Sequence, residues 1–144
     1  MTEQVNYNYM NLLHFISDFS EKGSHSLHQH GEELFKLSNA LGQEIDRLKE
    51  DGNLSLEARE AHLSLYKTKQ KKTEFAIPKV EIGKRSLNVF NQNLENRLQL
   101  YSLSGTDAEY VSNMLVSEIE YILKQAGIKR PVIAAAAGSG SLLS

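Results

Sequence analysis

The stretch SLHQHGEELFKLSNALGQEIDRLKE, Ser26 to Glu50, carries the repeat that decides the fold. Leu27, Leu34, Leu41 and Leu48 stand seven residues apart in it. Leu37 fills the intermediate position and Ile45 lies one residue off the ideal one. Apolar residues in this rhythm fall along one stripe of an α-helix and make the seam of a coiled coil. The spacing predicts a helix over 26–50. Ser26 followed by Gln29 fits the box that caps a helix start. Gly31 and Gly42 weaken the helix by about 1 kcal/mol each relative to Ala, or they let a neighbouring helix come close.

Helix signals with clear punctuation flank this stretch. Upstream, Leu12, Leu13, Ile16 and Phe19 recur at helical spacing over 7–21, and Gly23 can end that helix in the left-handed conformation. Downstream, Asp51-Gly52-Asn53 marks a turn, and Leu56, Leu63 and Tyr66 predict a third helix over 55–72. Residues 74–85 contain Pro78 and alternate apolar with polar from Ile77 onward, which reads as an extended connector or short edge strand. Leu87, Phe90, Leu94, Leu98 and Tyr101 form one stripe over 86–103, closed by Gly105. Thr106-Asp107-Ala108-Glu109 then reads as a capping box for a fifth helix over 107–126. Its face is Val111, Met114, Leu115, Ile119, Ile122 and Leu123, and Lys124 and Gly127 mark its stop.

The expected architecture is therefore all-α. It is a small bundle of about five helices, two helical hairpins joined by an extended connector, in one domain over 1–130 that can divide near 74–85. Pro131, Ala134 to Ala137 and the Gly/Ser run from Gly138 predict a flexible low-complexity tail over 131–144.

Composition narrows the function more by exclusion than by indication. With 40% hydrophobic and 24% charged residues, the 144-residue chain has the balance of a folded domain. It has no Cys, so a disulfide framework, a thiolate metal site and a cysteine nucleophile are ruled out. The start, Met1 to Tyr9, carries no basic residue and no long apolar run, and is not a secretory signal. The longest apolar run, Val132 to Ala137, is far short of the roughly 20 residues that span a bilayer. The cytoplasm is the default location, with export by a route lacking a cleaved signal left open. There is no Walker loop, dinucleotide fingerprint or nucleophile elbow, so no enzyme and no cofactor are expected.

Two side-chain clusters remain. His25, His28 and His30 lie beside Glu32 and Glu33, and a helix puts His28 and Glu32 on one face. Imidazoles and a carboxylate suit zinc or nickel, whereas the plainer reading is a polar turn. Charge is also segregated: residues 1–66 carry a net −6, residues 67–85 a net +5 and residues 86–144 a net −1. The basic run comprises Lys67, Lys69, Lys71, Lys72, Lys79, Lys84 and Arg85. Phosphate contact is one reading of it, but the chain is acidic overall and only Phe75 offers a nearby stacking ring, so nucleic acid is not the expected partner. Docking onto an acidic protein, or onto the acidic half of a sister subunit packed head-to-tail, fits better. The plainer reading is a solvated helix end.

The seam residues Leu34, Leu37, Leu41 and Leu48 and the basic run are thus the candidate interaction residues, with Leu65 and Leu103 off the main faces as secondary ones. In plan alone the chain resembles small helical secretion-apparatus and filament proteins, their chaperones, and small phage or viral structural proteins. The shared traits are helical hairpins, no Cys, no cleaved signal and polar ends. That plan implies a structural or interaction protein, a subunit of a homo-oligomer or larger assembly. The alternatives are an adaptor or chaperone for one helical partner, and a metal-binding helical protein using the histidines.

Overall fold

A computed structural model describes residues 2–129, with side chains from residue 9 onward. The expected five helices are three: α1, Thr2–Glu50, α2, Leu56–Ser104, and α3, Ala108–Gln125. There is no strand among the described residues. The tail expected over 131–144 lies outside them.

The two helix breaks read from local signals are absent. Gly23 was expected to stop a helix, yet α1 runs through it, and only Gly105 and Gly127 take positive φ among the described residues. Burial explains the difference. Ile16, Ser20, Gly23 and Leu27 are all buried, at spacings of four, three and four, so one face of an unbroken helix seats them together. A mid-helix Gly costs about 1 kcal/mol, while burying a single Ile or Leu contributes about 1.5–3 kcal/mol. The Ser26 box is accordingly no cap.

The connector expected over 74–85 is likewise helical, and Pro78 sits inside α2. Its ring removes one helical hydrogen bond, but Pro78 faces solvent, where water can reach the freed carbonyl. Thr73, Val80, Leu87 and Leu94, seven apart, are all buried. Their shared rhythm holds the two halves of α2 in register across the proline. The apparent alternation Ile77, Lys79, Val80, Ile82 is helical: Val80 points inward and Ile82 outward.

The turns are built from conventional devices. The Asp51 carboxylate accepts from the Asn53 amide at 2.9 Å, and the Ser55 hydroxyl accepts from Ala58 at 3.2 Å to cap α2. Gly105, at φ 73°, ends α2, and the Thr106 amide donates back to Tyr101. The cap of α3 is Asp107, whose carboxylate accepts from the Glu109 amide at 3.2 Å. Thr106, expected in that role, shares a 2.7 Å hydrogen bond with Ser104 instead.

α1 and α2 form an antiparallel hairpin in which partner numbers sum to about 111. Ser20 donates to Asn91, Gly31 packs on Val80, Gly42 faces Gln70, and the Arg59 guanidinium donates to the Asp51 carbonyl. At the open end the Tyr9 hydroxyl reaches out of this register, back along α2, and donates to the Glu95 carbonyl at 3.2 Å. α3 folds back along α2, tied by Arg97–Glu118 at 2.8 Å and Tyr101–Met114 at 3.8 Å. Its C-terminus reaches Gly83, where an added Cβ would lie 2.9 Å from Ala126 Cβ and 3.3 Å from Leu27 Cδ2. Glycine is required there because three helices meet with no room for a methyl group.

The main core belongs to this three-helix end. It joins Ile16, Phe19 and Leu27 of α1, Leu87, Phe90, Leu94 and Leu98 of α2, and Val111, Leu115, Ile119 and Leu123 of α3. Beyond Gly83 only α1 and α2 continue, for some 22 residues of α1 or about 33 Å at 1.5 Å per residue. In this arm Leu41, Ile45 and Leu48 are buried outside the main core, with Leu63 and Tyr66 half-buried on α2.

Candidate interaction surface

The α1 seam is largely used within the chain. Leu41 and Leu48 are buried and Leu34 is half-buried, while Leu37 is 47% exposed. The position that continues the rhythm between Leu34 and Leu41 is the half-buried Ser38. Gly31 bears out the close-approach reading, since a Cβ there would sit 3.3 Å from Val80 Cγ1. Gly42 has only the far end of Gln70, at 3.9 Å.

The histidines lie on the continuous α1. His28 Nε2 is 3.1 Å from the Glu32 carboxylate, with both side chains mostly exposed. His25 is exposed, and His30 is half-buried beside the α3 terminus, where a Cβ on Gly127 would lie 3.5 Å from its Nε2. No three His, Asp or Glu side chains converge as a metal-ligand group among the described residues.

The basic run lies on α2. Lys67, Lys69, Lys71, Lys72, Lys79 and Arg85 are exposed, and none of them has a carboxylate within 4.0 Å among the described residues. Lys69 Nζ stands 5.8 Å from the centre of the Tyr66 ring. Lys84 is half-buried and pairs with Glu81 at 3.2 Å. The antiparallel register sets residues 67–85 level with residues 26–44. The basic run thus lies beside part of the acidic region of its own chain, so charge segregation alone does not require a second subunit.

A further surface emerges once α2 is seen as one helix. Its inner ladder is Thr73, Val80, Leu87, Leu94 and Tyr101. Two residues further on, Phe75, Ile82, Val89, Asn96 and Leu103 form a second ladder with the same seven-residue step. A shift of two residues is a rotation of about 200°, so the second ladder points away from α1. Its apolar members are 73%, 55%, 55% and 86% exposed, in chain order. The signal was present in the sequence, but reading 74–85 as a connector cut the ladder in two and left only Leu103 noticed.

Lys71, Lys72, Lys79 and Arg85 flank the N-terminal half of this ladder, whereas Gln92, Asn93 and Gln99 flank the C-terminal half. On the α3 side, Arg85, Val89, Asn93, Leu100, Glu118 and Tyr121 line an open groove of about 810 Å³. Glu118 receives the Arg97 guanidinium at its edge, which holds that guanidinium further into its charged range. Among the described residues a half-open pocket between Tyr9, Leu12, Tyr101 and Val111 measures about 230 Å³, below the roughly 300–1,000 Å³ of small-molecule sites. No described helix is long and apolar enough to cross a membrane. Comparison with protein families, curated proteins and solved structures finds no match.

Proposed function

We propose that this chain is a structural or interaction protein that works by helix packing, as a subunit of a homo-oligomer or larger assembly. The observation that carries the reading is the outward ladder on α2. Four large apolar side chains in heptad register, more than half exposed, are arranged as one side of a helix–helix contact. The unpaired lysines beside them add charge that steers association and fixes register, while the apolar rungs hold the contact.

Sedimentation velocity at low salt and at about 1 M salt, where the screening length falls to about 3 Å, tests this. The expected result is a mass above that of one chain, with slower association at high salt. Reversing Lys69, Lys71 and Lys72 to Glu should weaken association and leave helix content intact. A wild-type monomer at high concentration in low salt refutes self-association and leaves an adaptor for a different helical partner as the reading.

A further inference from the structure

Along the continuous α2 a short apolar patch sits inside a ring of cations. Phe75, Pro78 and Ile82 step by three and four, so they share one face of the helix, and all three are exposed. The same line meets Lys71 four residues before Phe75 and Arg85 three residues after Ile82. Lys72 and Lys79 stand along one flank. These four cations are exposed, with no carboxylate within 4.0 Å among the described residues. We propose that the patch docks onto an anionic lipid surface. Phe75, Pro78 and Ile82 enter the boundary between headgroups and acyl chains, and the cations meet the headgroups. This function is additional to assembly and uses only the N-terminal end of the outward ladder.

The shortness of the patch selects its occupant. Phe75 and Ile82 are about 10 Å apart along the helix, and a cation closes the line at each end. A helical partner seated on this end alone would find two turns of apolar contact, where a coiled-coil seam needs three or four heptads. Nucleic acid would set phosphates against three apolar side chains. A bilayer interface takes apolar tips to a shallow depth, while the stems of Lys and Arg lie beside them and carry charge to the headgroups.

Charge elsewhere on the hairpin supports the same orientation. The patch lies past Gly83, where α3 has ended and only α1 accompanies α2. On α1, Leu27 and Leu41 are buried on the α2 side, so Glu32 and Asp46, each five residues later, are turned about 140° away from it. The acidic side of the hairpin thus points away from a surface that meets the patch. Glu74 and Glu81 lie on the flank opposite Lys72 and Lys79, and Glu81 is held by Lys84 at 3.2 Å. The lysine flank therefore tilts toward the headgroups.

Vesicle flotation tests the proposal. At low salt the wild type should bind phosphatidylcholine vesicles containing about 30% phosphatidylserine and should not bind vesicles of phosphatidylcholine alone. Binding should be lost at about 1 M salt, where the screening length is about 3 Å. Each cation near an anionic surface contributes about fivefold in affinity, so Lys72→Gln with Lys79→Gln should lower it about 25-fold. Phe75→Ser should lower it about tenfold. The chain has no Trp, so Phe75→Trp supplies a single reporter whose emission should shift to the blue on the phosphatidylserine vesicles. Phe35→Trp, at a position 63% exposed on α1, should show no shift. Circular dichroism verifies that each variant keeps its helix content.

No binding to phosphatidylserine vesicles at low salt overturns the proposal, as does equal binding to both kinds of vesicle. Binding unchanged by Phe75→Ser, with an unmoved Phe75→Trp emission, also overturns it, because the cations alone then hold the surface. Sedimentation without vesicles reads assembly separately. An oligomer that binds no vesicle keeps the assembly reading and ends the lipid one, and a monomer that binds phosphatidylserine vesicles does the reverse.

Discussion

Replacing Gly83 by Ala puts the three-helix junction under a test whose sign can be worked out beforehand. The added Cβ would lie 2.9 Å from Ala126 Cβ and 3.3 Å from Leu27 Cδ2. Ala126 has no flexible end to swing aside, because its Cβ is fixed to the backbone at the end of α3. Relief requires shifting that helix terminus, which puts the clash in the upper part of the roughly 1–3 kcal/mol range for overpacking. Ala gains about 1 kcal/mol over Gly in a helix interior. The net expectation is a loss of about 1–2 kcal/mol. Gly42→Ala makes the matched control: it has the same chemistry in a helix interior, and only the tip of Gln70 at 3.9 Å nearby. It should stabilise by about 0.5–1 kcal/mol. Urea unfolding followed by circular dichroism reads both. With a slope of about 1.5–2 kcal/mol/M, the two midpoints should move apart by roughly 1 M or more, in opposite directions. Combining Gly83→Ala with Ala126→Gly should recover part of the loss, because the methyl group is moved across the contact rather than added. If Gly83→Ala matches or exceeds wild type in stability, the close packing of α3 on Gly83 is refuted.

Three further outcomes follow. Asp107→Ala should destabilise by about 1 kcal/mol, and Thr106→Ala by distinctly less, since the carboxylate of Asp107 holds the Glu109 amide; thermal melts of the two variants compare them. Pro78→Ala should stabilise by about 1–3 kcal/mol by restoring a helical hydrogen bond, and an unchanged midpoint in urea would mean that the helix is interrupted there. The Arg47 guanidinium donates to Glu44 and holds its carboxyl below the ordinary value of 4.5. That contribution is present above the ordinary value and is lost as pH falls through the lowered one. Glu44→Gln should therefore be less stable than wild type at neutral pH and equal to it in strong acid, by urea midpoints at each pH.

The all-α class, the α3 face and the buried rhythm of Leu27, Leu41 and Leu48 were legible in the sequence because they rest on periodicity, the signal that tertiary packing enforces. Helix number was not legible. Gly23 and Pro78 are local stop signals of about 1–3 kcal/mol, and several buried side chains outweigh each of them once the hairpin forms. Leu37 has the ideal intermediate spacing of three from Leu34, whereas the hairpin uses the position four on, as at Ile45, and so takes Ser38, a residue no hydrophobic count selects. The outward ladder was hidden for a related reason. Phe75 and Ile82 were assigned to a connector, so their step to Val89 and Leu103 had no helix to run along. The lysines were found as a run, but their relation to an apolar stripe depends on that same continuity.

The nested antiparallel pairing along the hairpin also sets the order in which the chain can assemble. Arg59 and Asp51 meet across 8 residues, whereas Tyr9 and Glu95 are separated by 86. The entropy of closing the longer loop exceeds that of the shorter by about 2 kcal/mol. The least expensive contacts thus lie in the arm, which buries least, and the most expensive lie where the core is largest. α2 and α3 escape this opposition. Arg97 and Glu118 are only 21 residues apart, so the turn that brings α3 back to α2 closes at low entropic cost. The buried face of α3 is nonetheless shared with Ile16, Phe19 and Leu27 of α1, so the core is complete only when the N-terminal half of α1, which closes the longest loop, joins it. Substitutions at Ile16 should accordingly speed unfolding more than they slow folding.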